Sequence, residues 1–343
     1  MKLINTVDAV GHVLCHDITQ IIKDEKKERV FKKGHIVTKE DIPILLSVGK
    51  DHLYIWEKEE GFLHENEGAT RLYALCENDS IYPSQEIKEG KIEAFAAKDG
   101  FLQIDVEKLN QVNMLDEIMI ATRHNNQVVK KGEKLAGMRV IPLTIEEKKL
   151  QQAEKLVGET PLFYVKEFHK KKVGIVTTGN EVFLGRIKDT FGPVIQDKLK
   201  EFPTKILGQT IVNDELDMIK DAILDFIYKG ADMVVCTGGM SVDPDDMTPG
   251  AIRATGARIV SYGAPVLPGA MMLVSYYNGT IPVVGLPGCV MYAKRTIFDI
   301  VLPRLMADIP VTKKDLARLG HGGLCLSCDV CTFPNCGFGA AGQ

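Results

Sequence analysis

A chain of 343 residues is too long for one ordinary domain, and at roughly 150 residues each, two or three are expected. Its composition, 45% hydrophobic and 26% charged with a mean hydropathy of -0.02, is that of a soluble globular protein and excludes disordered and fibrous classes. A formal net charge of -4 and a pI near 6.1 give no positive field for polyanions, which argues against nucleic acid as a partner and leaves a small anion held by local loops.

Residues 1–17 lack an apolar run of signal-peptide length, and no stretch reaches the ~18 apolar residues of a membrane span. No membrane contact and a cytoplasmic location are therefore expected. Thr38 is placed as an N-cap with Asp41 at capping-box spacing, opening a short helix that ends at Gly49, and His52 to Trp56 alternates as a strand. Gly100 to Val106 and Glu117 to Thr122 predict strands around a short helix, with Asn125-Asn126 as a turn between Met119-Ile120 and Val128-Val129. Thr144 to Val157 reads as a charged helix serving as a linker.

Beyond Lys171, strands and helices alternate in the manner of a doubly wound sheet. Strands are expected at Lys172–Thr178, Lys205–Val212, Asp232–Cys236 and Ile281–Gly285. Phe191, Val194, Ile195, Leu199 and Phe202 define one helix face, and Leu216, Ile219, Ile223 and Ile227 another. Thr248-Pro249 is a helix start, Asn278-Gly279 a hairpin, and a last long helix is expected from near Gly288 to Leu305. The expected fold is thus α/β, a doubly wound and mostly parallel sheet over 166–312, preceded by β-rich α+β modules at 1–60 and 61–165 and followed by a Cys-rich tail at 313–343.

In an open α/β sheet the ligand crevice lies off the carboxyl ends of the strands. Four segments arrive there: Thr177-Thr178-Gly179-Asn180-Glu181, Asn213-Asp214-Glu215, Thr237-Gly238-Gly239 through Asp246, and Leu286-Pro287-Gly288. They supply glycine turns whose amides can approach a phosphate, hydroxyls, and carboxylates that make sense beside a phosphate chiefly with Mg²⁺ between them. Each has a plainer use: Asp214 as a helix N-cap, Asp243, Asp245 and Asp246 as solvated loop residues, Gly179 and Gly288 as turn glycines.

Taken in order, Thr-Thr-Gly-Asn-Glu with Asp189-Thr190 following, Thr237-Gly-Gly-Met-Ser-Val-Asp-Pro-Asp-Asp-Met-Thr248 and Leu286-Pro-Gly288 resemble the molybdopterin molybdotransferase family (MoeA and the gephyrin E domain). The resemblance covers Lys171 to Leu305 closely and Gly34 to Ile55 loosely. It implies an adenylated molybdopterin bound with Mg²⁺ and release of the adenylate as molybdate is inserted. Carried over by motif, Glu181, Asp214 and Asp246 become the acidic catalytic residues, while Gly238, Gly239 and Ser241 cradle the terminal phosphate. Thr178, Gly179, Asp189, Asp243, Pro287 and Gly288 complete the ligand-binding set. Homodimers and a molybdoenzyme client are implied in the same way.

The chain also departs from that family. Asn180 replaces an Asp, Cys289-Val290 replaces Asn-Pro, and Leu267-Pro268-Gly269-Ala270 stands where the family has Lys-Pro-Gly-Lys. Each lost charged hydrogen bond is worth about 1.5 to 3 kcal/mol. Two rival readings follow. Pro244 to Thr248 is similar to a nucleotide hydrolase of the competence-damage-inducible, nicotinamide-nucleotide type, and the missing lysines favour a non-catalytic carrier or sensor of the cofactor.

Cys15, Cys76, Cys236 and Cys289 sit among apolar or small residues and read as buried free thiols. Cys325-x2-Cys328-x2-Cys331-x4-Cys336 is a different pattern, spaced for a tetrahedral Zn²⁺ or an iron–sulfur cluster, with Lys313 to Arg318 as a helical stalk.

Overall fold

The computed structural model describes the chain except for residues 1, 23–25, 56–59, 242, 245 and 341–343. The expectations for Trp56 and Asp245 lie outside the described residues. The chain forms two units. The first comprises Met1–Ala97, Ile104–Arg123 and Lys131–Tyr164; the second comprises Lys98–Gln103, His124–Lys130 and Val165–Gln343.

The first unit opens with strand Lys2–Asn5 antiparallel to His52–Ile55, around a small core of Leu14, Ile18, Phe31, Val37, Leu45 and Leu53. Helix Asp41–Ser47 starts later than the capping pattern predicts. Asp41 turns back to accept from the Thr38 amide at 2.8 Å and pairs with His35 Nε2 at 2.6 Å, and Glu40 is the N-cap. A four-stranded antiparallel sheet follows in the order Ile81–Pro83, Lys91–Ala96, Lys134–Val140, Ile118–Thr122. Helix Glu65–Ala74 carries a full capping box, His64 with Glu67. The charged segment expected as a linker splits into strand Thr144–Glu146 and helix Glu147–Val157, which buries Leu150, Ala153 and Val157.

Asn126 does adopt the left-handed turn conformation, at φ +54°. Its flanking strands do not form a hairpin: Ile118–Thr122 pairs with Lys134–Val140, whereas Gln127–Val129 pairs with Gly100–Ile104. Local turn chemistry fixed the turn, and the partners were chosen by burial on two different sheets.

The second unit is built on a six-stranded sheet of β1 (Lys171–Thr178), β2 (Thr204–Val212), β3 (Met233–Thr237), β4 (Arg258–Tyr262), β5 (Leu273–Tyr277) and β6 (Ile281–Leu286), in the order β2-β1-β3-β6-β5-β4. The first four positions are parallel, and β5 runs antiparallel to both neighbours. The Asn278-Gly279 hairpin joins β5 to β6 through the three residues Asn278-Gly279-Thr280, with Asn278 and Gly279 in the left-handed region at φ +48° and +76°. Near-continuous runs of Val, Ile and Cys in β1, β3 and β6 reflect burial on both faces.

The helices α1 (Asn180–Phe183), α2 (Phe191–Leu199), α3 (Leu216–Tyr228), α4 (Thr248–Ala254), α5 (Ile297–Met306) and α6 (Lys313–Arg318) complete the architecture. One core lies under α2 and α5 and the other under α3 and α4. The expected last helix is shorter than its pattern. Gly288–Met291 is one 3₁₀ turn, and α5 begins only after Thr296, whose hydroxyl and Asp299 form a capping box. No helix among the described residues is long and apolar enough to cross a membrane.

Candidate active site

Parallel pairing brings four strand ends to one edge: Thr178 lies opposite Val212, Thr177 opposite Thr237, and Thr237 opposite Leu286. Beneath the loops that leave these ends is a buried hydroxyl network. Thr237 Oγ1 donates to Thr177 Oγ1 at 3.2 Å, and Gln209 Nε2 donates to Thr177 Oγ1 at 2.8 Å and to Asp189 Oδ2 at 2.6 Å. The Thr178 and Thr248 hydroxyls are 3.3 Å apart, and Thr248 Oγ1 donates to the Gly238 carbonyl at 2.8 Å. Thr177 and Thr237 lie in the segments expected at this edge and Thr248 ends the Thr237–Thr248 motif, but no specific ligand-binding role is expected of them, and Gln209 is not singled out by the sequence. Threonine at the ends of β1 and β3 was a signal for the network; Gln209, inside β2, carried none.

The Gly238-Gly239 turn is where glycine is required. Both residues have positive φ, +85° and +55°. A Cβ on Gly238 would lie 2.2 Å from the Thr178 carbonyl oxygen, and one on Gly239 2.9 Å from Thr248 Oγ1. The bare backbone of the loop is thus pressed against the end of β1 and the start of α4, which is why packing and backbone conformation both require glycine here. The loop continues to Ser241, exposed, whose amide donates to Asp246 Oδ2 at 2.8 Å, and the Asp246 amide closes on the Asp243 carbonyl at 3.0 Å. Tyr262 Oη donates to the Met240 and Ser241 carbonyls at 3.0 and 3.1 Å. Partial burial, and then the charge of Asp246, push the Tyr262 phenol above its ordinary value.

Glu181 stands exposed in the single turn of α1, its carboxylate folded back over Gly179 at φ +140°. Asp214 Oδ2 accepts the Asn180 amide at 2.8 Å, so it ties the β1 and β2 loops together; the N-cap of α3 is Glu215. Asp189 commits its oxygens to the amides of Phe191 and Gly192, at 2.9 and 3.1 Å, and to Gln209, which ties it to the first turn of α2, whose N-cap is Thr190. Pro287 is buried and Gly288 exposed; the turn they start ends in Met291, whose sulfur accepts from Thr190 Oγ1 at 2.7 Å.

Because β5 is antiparallel, with Leu273 beside Gly285, the loop from Gly263 to Met272 opens at this same edge. It is the segment that carries Leu267-Pro268-Gly269-Ala270. The Cys tail is seated on it: the Leu267 amide donates to Gly323 and the Cys325 amide to Leu267, both at 2.8 Å. Cys325, Cys328, Cys331 and Cys336 all line one cavity of about 770 Å³, with Leu267, Lys294 and Arg295 also on its wall.

Neither expected metal centre is assembled. Among the described residues no group of three or more His, Cys, Asp or Glu side chains is gathered to hold an ion. For the carboxylates the reason is that Asp189, Asp214 and Asp246 are drawn toward separate backbone amides. For the thiols it is that Cys325 and Cys336 sit half-buried against the core while Cys328 and Cys331 stay exposed on the arc between them. Cys15, Cys76 and Cys236 are buried free thiols, as expected, and Cys289 is half-buried.

Glycine turn, hydroxyls and carboxylates thus meet at one edge of an open α/β sheet, the edge where ligands of such folds are generally held. The model of the probable molybdopterin binding domain matches residues 174–307, and that of a domain of unknown function matches residues 3–57. CinA-like proteins of Mycobacterium avium and Mycobacterium tuberculosis are 38% identical over 77 residues, 22% of this chain and 18% of theirs. The match therefore spans under a fifth of those relatives' length. Among solved structures, the molybdopterin biosynthesis enzyme MoaB of Thermus thermophilus is 26% identical with a TM-score of 0.33, over 39% of this chain and 91% of that one. CinA of Thermoplasma acidophilum is 21% identical with a TM-score of 0.32, over 40% and 98%.

Proposed function

We propose that the second unit binds molybdopterin, in adenylated form, at the carboxyl edge of its sheet and handles it in molybdenum-cofactor biosynthesis or molybdoenzyme maturation. The observation that carries this reading is the Gly238-Gly239 turn, held with positive φ against Thr178, at the edge where Asp214 holds the loop after β1 and Asp246 the loop after β3. The match to a probable molybdopterin binding domain over residues 174–307 supports the choice of ligand. Backbone amides of the turn would receive the terminal phosphate, and Ser241 would supply a hydroxyl.

Mg²⁺ fits this edge in a limited way. Asp214 and Asp246 each give one oxygen to an amide, and a carboxylate accepts at both. Mg²⁺ is commonly held by one or two carboxylates together with the ligand's phosphates, so a three-residue cage is not required. When bound, the ion would supply charge neutralisation at the phosphate. Glu181, exposed beside Gly179, would orient a water or ligand proton. With Leu267 and Ala270 in place of lysines, molybdate insertion would be slow, and a cytoplasmic homodimer delivering cofactor to a molybdoenzyme client accommodates that. The tail cysteines bring a metal, as Zn²⁺ or an iron–sulfur cluster, to the same edge.

The 38% identity to CinA-like proteins favours one second reading, a nucleotide hydrolase. Release of a fluorescent pterin from purified protein, together with its affinity in the presence and absence of Mg²⁺, tests the first. Molybdate-dependent AMP release from adenylated pterin separates an enzyme from a carrier. Hydrolysis of a dinucleotide with no pterin affinity would replace the proposal by the second reading.

A further inference from the structure

We infer that the four tail cysteines close on a single thiophilic divalent ion in tetrahedral sulfur coordination, a zinc-type centre, at the edge of the sheet that carries the candidate crevice. This rests on the reading of the tail as a metal site.

The tail is a closed loop. The Gly339 amide donates to the Gly322 carbonyl at 2.9 Å, which joins its two ends, and the Leu267 carbonyl and amide hold its first strand. Phe338 is buried and Phe333 packs against the same core, with the Arg295 guanidinium 5.2 Å from the Phe333 ring centroid. Lys294 Nζ donates to the Asp329 carbonyl at 2.8 Å, a single tether that reaches the exposed arc and not the base of the loop. The base of the loop is therefore fixed on the α/β unit, and with it the half-buried Cys325 and Cys336.

The arc between is a poor structure on its own terms. Leu326 and Val330 are 79% and 77% exposed, and Cys328 and Cys331 face solvent. Ser327, between the first two cysteines, has φ +52°, a left-handed conformation that a β-carbon disfavours. Exposed free thiols and exposed large apolar side chains are both normally avoided. A loop this short lacks the apolar area to order itself, and metal binding is the usual source of that free energy.

The arc faces the cavity that all four cysteines line, so contraction of the arc brings two thiols toward two that are already fixed. The ligands fall into pairs, Cys325-x2-Cys328 and Cys331-x4-Cys336, within the spacing of tetrahedral zinc sites. A ferredoxin-type run instead ends in C-x3-C-P, with its fourth cysteine on another cluster. Here the last gap is four residues, and Pro334 precedes Cys336. Four thiolates around a divalent ion leave two negative charges; of the cations on the cavity wall, Lys294 is placed to offset them, whereas Arg295 is already paired with Asp299 and Glu201.

The test uses the full chain, purified under reducing conditions, stripped with a chelator and titrated with Co²⁺ and then Zn²⁺. One equivalent of Co²⁺ should develop thiolate charge-transfer absorption with tetrahedral d–d bands, Zn²⁺ should displace it, and all four thiols should become protected from a thiol reagent. Cys328→Ser with Cys331→Ser, both on the exposed arc, should abolish the signal with the circular dichroism unchanged, and Cys289→Ser should keep it. Iron with acid-labile sulfide in anaerobically prepared protein would overturn the single-ion centre while leaving a metal-bearing tail. No uptake of either ion, with all four thiols equally reactive with and without Zn²⁺, would overturn both.

Discussion

Asp214 Oδ2 accepts the amide hydrogen of Asn180 at 2.8 Å, and through that one bond the loop after β2 holds the first turn after β1. The carboxylate thus has a structural task and a charge, and two substitutions separate them. Asp214→Asn keeps an oxygen acceptor, so unfolding in urea should be nearly unchanged. Asp214→Ala leaves the Asn180 amide without its partner and should cost about 0.5–2 kcal/mol, the range of a lost capping bond. If the charge also serves ligand, Asp214→Asn should weaken Mg²⁺-dependent pterin binding roughly tenfold, about 1.4 kcal/mol. Equal affinity in parent and Asn variant would confine Asp214 to tying the loops.

Gly238 and Gly288 were both expected as ligand-loop glycines, and the structure gives them different reasons to be glycine. At Gly238 a Cβ would meet the Thr178 carbonyl at 2.2 Å with φ at +85°, whereas nothing lies within 4 Å of one at Gly288. Gly238→Ala should therefore destabilise the second unit by about 1–3 kcal/mol, as strain of this kind does. Gly288→Ala should stay within about 0.5 kcal/mol. Denaturation midpoints of the two variants check this, and equal midpoints would mean the glycine turn is not tightly seated.

The sheet of the second unit was legible because burial on both faces writes β1, β3 and β6 as continuous apolar runs, and the Asn278-Gly279 turn identifies its hairpin unaided. The edge strand β4 was not, since nothing local marks its antiparallel pairing with β5. Thr38 and Asp41 misled because the same side chains serve a capping box or a turn preceding the helix, and His35 tipped the balance toward the turn. In the candidate site, motif order located the loops, but which carboxylate looks outward depends on amides far along the chain. Asp189 is the clearest case: its partners include Gln209, on a different strand. The seating of Cys325 on Leu267 is a contact across 58 residues that no local pattern encodes.

That contact bears on the missing cations. Leu267 is 56% exposed, and the tail engages its backbone rather than its side chain. Lysines at both Leu267 and Ala270 should therefore fold normally. Placed at the carboxyl edge, they should tighten binding of anionic pterin species about tenfold or more at low salt, with the gain fading at high salt. Isothermal titration at two ionic strengths measures it. An affinity indifferent to both lysines would show that this loop faces the tail alone.

In the first unit, His64 carries a pH dependence whose sign follows from its hydrogen bonds. Nδ1 lies 2.8 Å from Lys33 Nζ and 3.2 Å from the Asn66 amide, both donors, while Nε2 lies 2.7 Å from the Cys15 carbonyl. The ring is therefore the neutral tautomer with its proton on Nε2. A second proton on Nδ1 would remove the acceptor that caps helix Glu65–Ala74 and face the Lys33 ammonium. Burial lowers the His64 pKa from its ordinary 6.5, helped by the charge of Lys33 and opposed by the Cys15 bond and Glu67; burial lowers that of neighbouring His16 as well. A depressed folded-state value means the stabilisation is fully present above 6.5 and is lost as pH falls through the folded value. Glu65, raised by burial, acts in the opposite sense: its contribution is complete below 4.5 and fades as pH rises through its folded value. Replacing His64 by Gln keeps a polar group at the cap without a titrating ring and leaves Glu65 in place. Hydrogen exchange of the amides in Glu65–Ala74 should show protection that declines as pH falls below 6.5 in the parent and declines less in His64→Gln, after correction for intrinsic exchange rates. Parallel declines in the two proteins would remove His64 from the account and leave His16 as the group responsible.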